Sequence, residues 1–149
     1  MIYIGIDPGE SGALAMINGE SGRTLVRPFD SEEYNTALEL FAPEDSFCIV
    51  ERVSAMPGQG VTGVFNFGRN YGYIQGLLTA HRIPYQLVRP QAWKREFGCT
   101  RDKNTSIAVC KRLFPGVNLK RTERCKKEHD GMAEALLMAE YGRRIYANE

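Results

Sequence analysis

Two carboxylates stand where charge is unfavourable, and two more lie at the start of a helix. Asp7 ends the apolar run Tyr3-Ile4-Gly5-Ile6, inside the tight turn Asp7-Pro8-Gly9, and Glu51 ends a second apolar run, Phe47-Cys48-Ile49-Val50. Asp130 opens the last helical segment, and Glu134 follows one turn later on the same face. An unpaired acid at the tip of a buried strand costs on the order of several kcal/mol unless a positive partner meets it. Two adjacent parallel strands with acidic ends bring Asp7 and Glu51 to one edge of a sheet. The start of a helix packed on that sheet delivers Asp130. Hard oxygen ligands gathered without a His/Cys set suit Mg2+ or Mn2+ rather than zinc. Two such ions about 4 Å apart activate a water and stabilise the leaving oxygen of a phosphodiester. The expected partner of Asp7 is therefore a metal ion. Gly9 and Gly12 keep the turn slim enough for a nucleic-acid backbone to reach it.

Each acid also has a plainer role open to it. Asp7 can cap a turn, Glu51 can pair with Arg52 or Arg69, and Asp130 can be a helix-start acid favoured by the dipole. Glu134 reads equally as a ligand or as a surface helix residue. His129 commonly would do no more than sit at the helix start, and His81 shows no chemical context. Cys48, Cys99, Cys110 and Cys125 form no CxxC pair and no zinc spacing, so they read as reduced thiols.

These acids need elements to carry them. Residues 2–7, 11–18 and 23–29 read as three strands in a meander, with Asn18-Gly19 and Ser21-Gly22 as turns. Asp30 and Glu33 form a capping-box pattern opening a helix to about Phe41, and 47–51 is a buried strand. A long helix is expected from Val61 to about His81, carrying Gly63, Gly68, Gly72 and Gly76, glycines that allow a partner helix or subunit to approach closely. Residues 84–88 read as a strand, and Pro90 starts a helix holding Trp93 and Lys94. A basic helix spans 103–113, a polar loop 117–128, and a final helix runs from about Glu128 to Ile145 with Met132, Ala135, Leu136, Met138 and Ala139 towards one apolar face. The fold class is an α/β layered single domain over 1–149, a mixed sheet flanked by helices.

The net charge of +1 conceals a division. Residues 89–127 carry a local balance of +9, the remainder −8. Arg89, Lys94, Arg95, Arg101, Lys103, Lys111, Arg112, Lys120, Arg121, Arg124, Lys126 and Lys127 are candidates to track phosphate backbones, although a solvated helical face is the bland alternative. Trp93 and Tyr71 either stack on bases or, more commonly for aromatics, fill a core. No apolar run reaches bilayer-spanning length and Met1 leads directly into a strand, so a cytoplasmic protein without membrane contact is expected.

Taken in order, these segments resemble the RuvC-like Holliday junction resolvases of the RNase H-like superfamily. Ile4-Gly5-Ile6-Asp7-Pro8-Gly9 resembles the first-strand signature, and Ile49-Val50-Glu51 the second acidic strand. Phe67-Gly68-Arg69-Asn70-Tyr71-Gly72 looks like the LGxxxG helix, and Pro90-Gln91-Ala92-Trp93-Lys94 the P-x-x-V/W-K segment. Gly98 and Lys103 fall at a G-x(n)-K element, and Asp130 to Leu136 resembles the closing D-x-x-[AD]-D-A-L helix. The resemblance implies an RNase H-like five-stranded mixed sheet, and a homodimeric nuclease using Mg2+ or Mn2+, two ions per site, to nick opposed strands of a four-way DNA junction. By position, Asp7, Glu51, Asp130 and Glu134 hold the metals. Lys94 and Lys103 contact phosphates or stabilise transition-state charge. The chain is short, like compact phage-encoded members, and its acids in the last helix lie four apart where the family usually has three. Met56, in the loop after Glu51, stands where cellular members carry an aromatic wedge.

Three rivals remain. Asp7-x-Gly9-x-Ser11 also resembles a kinase-like phosphate loop, but the chain has no room for the second domain that class needs, so no nucleotide cofactor is expected. A non-catalytic junction binder would lack a ligand, and none is missing. A nuclease acting on flaps, forks or RNA–DNA hybrids would use the same carboxylates.

Overall fold

Strand alternation decides which side each acid faces. In the computed structural model, which describes residues 1–149, β1 (Ile2–Asp7) lies at the centre of a five-stranded sheet. It pairs antiparallel with β2 (Ala13–Asn18), which pairs antiparallel with β3 (Thr24–Pro28). On its other side β1 runs parallel to β4 (Ser46–Glu51), and β4 runs parallel to β5 (Tyr85–Val88). The order β3-β2-β1-β4-β5 is the mixed sheet expected from the sequence, a meander joined to parallel strands.

Successive side chains point to opposite faces of a strand. Ile4 and Ile6 of β1, Leu14 of β2, and Cys48 and Val50 of β4 share one buried cluster with Tyr34, Leu38, Ile74 and Leu78. Those last residues come from α1 (Ser31–Glu39) and α2 (Val61–Ala80). Ala13, Ala15, Ile17, Ile49 and Val88 face the other way, into a larger cluster with residues of α3 (Pro90–Phe97), α4 (Lys103–Leu113) and α5 (Asp130–Tyr146). The result is a sheet between two helical layers. Asp7 and Glu51 have the parity of Gly5 and Ile49, so both belong to the α5 side.

The first helix begins as expected at Asp30, whose carboxylate accepts from the Glu32 and Glu33 amides at 3.0 Å. The reciprocal bond from Glu33, which would complete a capping box, is not formed. α3 starts on Pro90 and ends at Gly98, whose φ of +67° suits a left-handed helix stop.

The last helix departs from expectation. It begins at Asp130 rather than Glu128, because His129 Nδ1 accepts the Met132 amide at 3.1 Å and acts as its cap. Nor does it show one apolar face: every residue from Gly131 to Glu140 is buried. The cause is close backbone packing on β1. A Cβ on Gly5 would lie 2.0 Å from the Ala135 carbonyl oxygen, so the strand and helix touch through their main chains. Small residues on both sides let α5 sink into the sheet, and α3 and α4 close over it.

The glycines of α2 behave differently. Nothing lies within 4 Å of a Cβ built on Gly63, Gly68, Gly72 or Gly76. They admit no partner helix from this chain. α2 packs instead through Asn70, Ile74 and Leu78, leaving Val61, Phe65 and Tyr73 exposed.

Candidate active site

The register of β1 on β4 pairs Ile6 with Val50, which puts Asp7 and Glu51 next to one another at the carboxyl end of the sheet. α5 enters at the same edge. Gly131 makes that approach possible, since a Cβ there would stand 3.0 Å from Asp7 Oδ2 and 3.0 Å from the Ser11 carbonyl. Asp130 precedes this contact, and Glu134 follows it down the helix. The four acids that the sequence singled out thus lie around the same edge of the sheet.

Their surroundings differ. Burial, then the charges of Glu134 and Glu51, push the Asp7 carboxyl well above its ordinary value. Burial also raises Glu51, against a hydrogen bond donated by Trp93 Nε1 to its Oε2 at 2.9 Å. Glu134 is raised by burial and by the charge of Glu51; its nearest partners are Ser106 Oγ at 3.5 Å and Lys94 Nζ at 4.0 Å. At Asp130 burial is outweighed. Lys103 Nζ donates to its Oδ2 at 2.7 Å, holding the carboxyl below its ordinary value and raising its own ammonium. Three acids that resist ionising together form a site with an unmet demand for positive charge.

The donor set suits a hard divalent cation: carboxylate oxygens, with the His129 ring committed to capping and no thiol among the four acids. As the side chains stand, no three His, Cys, Asp or Glu residues are close enough to share one ion. Glu51 is held by Trp93, and Asp130 by Lys103.

Trp93 takes the core alternative that the sequence reading favoured over base stacking: it is fully buried, and its indole supports Glu51, in place of Arg52 or Arg69. No spacing signals this contact, because the pair lies 42 residues apart. Tyr71 is half-buried against the α1/α2 core. Lys94 is mostly covered, its ammonium 5.4 Å from the Trp93 ring centre and turned towards Glu134, so it addresses the acids rather than the outer surface. Lys111 is engaged by Glu128 at 3.0 Å. Arg89, Arg95, Arg101, Arg112, Lys126 and Lys127 are exposed, and none forms an ion pair. Met56 is exposed in the loop after β4, and Phe65, which the sequence reading passed over, is exposed at the start of α2.

No protein-family model and no curated protein sequence matches the chain. Solved structures do. RuvC of Thermus thermophilus in complex with a Holliday junction substrate superposes with a TM-score of 0.65 at 14% identity, covering 99% of this chain and 96% of that one. A second Thermus thermophilus RuvC structure gives 0.56 at 16%, over 97% and 96%. The Fowlpox virus resolvase with Holliday junction DNA gives 0.53 at 14%, over 95% and 98%. The class is therefore the RNase H-like α/β fold, which the chain shares with these structures along nearly its whole length, as the sequence motifs led us to expect.

Proposed function

We propose that this protein is a divalent-metal-dependent endonuclease that resolves four-way DNA junctions by paired nicks, acting as a homodimer. The observation that carries the reading is the placement of Asp7, Glu51, Asp130 and Glu134 around one sheet edge, with Lys94 and Lys103 beside them. Mg2+ or Mn2+ held there, two ions per site, supplies the Lewis-acid charge that activates water and stabilises the leaving oxygen. Asp7 on the central strand β1, Glu51 on β4 and the two α5 acids would hold the metal. Trp93 would fix the Glu51 carboxylate through its Oε2 and leave the other oxygen for a ligand. Lys103, beside Asp130, would offer its ammonium to a phosphate oxygen. Lys94 neutralises Glu134 from the side.

The exposed bases around α3, α4 and the following loop supply a sequence-independent grip on DNA backbones. The unpartnered glycine face of α2 supports the dimer, since opposed nicks require two sites related by a two-fold axis. Met56 is the candidate to enter the junction. A flap, fork or RNA–DNA hybrid nuclease with the same site is the alternative reading, and a non-catalytic junction binder a remote one.

The metal role is tested by Asp7→Asn. Cleavage is expected to disappear while junction binding is kept or tightened, because one negative charge facing the phosphates is gone. Parallel loss of binding and cleavage would count against the assignment.

A further inference from the structure

The tip of the turn that follows Asp7 lies outside the sheet. β1 ends at Asp7, paired with Ala13 of β2, and Pro8 to Ser11 run on without ladder bonds; Gly12 N–H donates to the Gly9 carbonyl at 3.0 Å and the Gly12 carbonyl accepts the Phe29 amide at 3.0 Å. Gly9 has φ of +114°, a conformation open to glycine and rarely to other residues, and at this tip the turn gains a tie from outside the sheet. The tie comes from α2. The Gly9 amide donates to Asn70 Oδ1 at 2.8 Å in a buried contact spanning 61 residues. Phe67, one turn earlier on the same helix, closes over the glycine: a Cβ on Gly9 would lie 3.1 Å from its ring.

Asn70 is an oddity on its own helix. The other two buried residues of α2, Ile74 and Leu78, follow at helical spacing and are apolar. A third apolar residue in that row would continue the core. A buried amide there makes sense only for the bond it accepts. On the far side of the turn the Asp7 carboxylate meets the Gly131 backbone of α5, so a shift of the turn moves Asp7 relative to the acids of α5.

We propose that Asn70 is a positioning residue of the carboxylate cluster: its amide oxygen fixes the Asp7 turn and thereby sets where Asp7 stands against Glu51, Asp130 and Glu134. Asn70 touches neither metal nor DNA in this role. The inference rests on the metal-site reading above and extends it to a helix that supplies no ligand. Partners of this supporting kind commonly change metal affinity or activity by about 10- to 100-fold when removed.

The test compares wild type, Asn70→Ala, Asn70→Ser and Asn70→Asp. The readouts are Mn2+ affinity of the DNA-free protein by calorimetry, kcat and KM on a four-way junction, and melting temperature. Asn70→Ala and Asn70→Ser lose the acceptor at the right reach. Both are expected to weaken Mn2+ binding and lower kcat by about tenfold or more, with KM unchanged. Asn70→Asp keeps an oxygen for the Gly9 amide and is expected to recover most of the Mn2+ affinity. Either of the first two variants suffices if the other does not fold. A lower melting temperature with wild-type Mn2+ affinity and kcat would overturn the proposal and leave Asn70 a purely structural tie. If wild type itself neither binds Mn2+ nor cuts DNA, it is the metal-site reading that fails.

Discussion

Helix α5 carries two buried glutamates, Glu134 and Glu140, and they are opposites. Glu140 is met by Arg143 from two sides of its carboxylate, at 2.7 Å each, and by Arg144 at 2.9 Å. Although burial works against ionisation, those hydrogen bonds hold its carboxyl below the ordinary value. Arg144 also bridges to Glu96 at 2.9 Å and lies over the Phe97 ring, so this end of the helix ties α5 to α3. Glu134, six positions earlier on the same helix, has one weak hydroxyl contact and a lysine at 4.0 Å, and its carboxyl is raised. Equal burial with unequal satisfaction separates a carboxylate that serves the fold from one kept ready for a ligand.

That comparison is sharpened first by paired substitutions. Glu134→Gln is expected to cost activity heavily, about 100-fold or more, with little loss of stability. Glu140→Gln is expected to do the reverse, lowering stability by about 1–3 kcal/mol while sparing the turnover of the folded protein. Assay of both variants by chemical denaturation and cleavage checks this, and an exchange of the two phenotypes would break the distinction.

A smaller effect follows from pH. Glu140, with its folded value depressed, contributes stability above the ordinary glutamate range that is lost as pH falls through the depressed value. Asp7, Glu51 and Glu134 have raised values, so the metal-free fold loses stability as pH rises from the ordinary carboxylate range through theirs. Melting curves across pH without metal should show both limbs. Asp7→Asn should flatten the upper one, and Mn2+ should raise the melting temperature of wild type only where the acids are ionised. A wild-type curve without an upper limb would mean that the cluster carries no mutual strain.

Much of the molecule was readable from its residues, and the unread parts have specific causes. The strands are short apolar runs between turn residues, and Asp7 and Glu51 announce themselves by ending two of them. Their adjacency follows once the strands are taken as parallel neighbours. The all-round burial of α5 gives no periodic signal, because Gly131, Ala133, Ala135 and Ala139 bury backbone rather than side chains. Trp93 to Glu51 and Gly9 to Asn70 are contacts between distant segments, invisible to spacing. The Glu140, Arg143 and Arg144 set was legible as i, i+3 and i, i+4 pairs on one helix, yet only the structure shows its acid to be buried.

The most direct measurement is cleavage of a labelled four-way junction with Mg2+ or Mn2+, beside duplex, flap, fork and RNA–DNA hybrid, with Asp7→Asn as the control. Paired, symmetric nicks in the junction, absent from the variant, are the expected result and require the two-site dimer as well. Cutting spread across flaps, forks or hybrids would contradict junction resolution while keeping the metal site. Junction binding without any cleavage would contradict the reading of the four carboxylates.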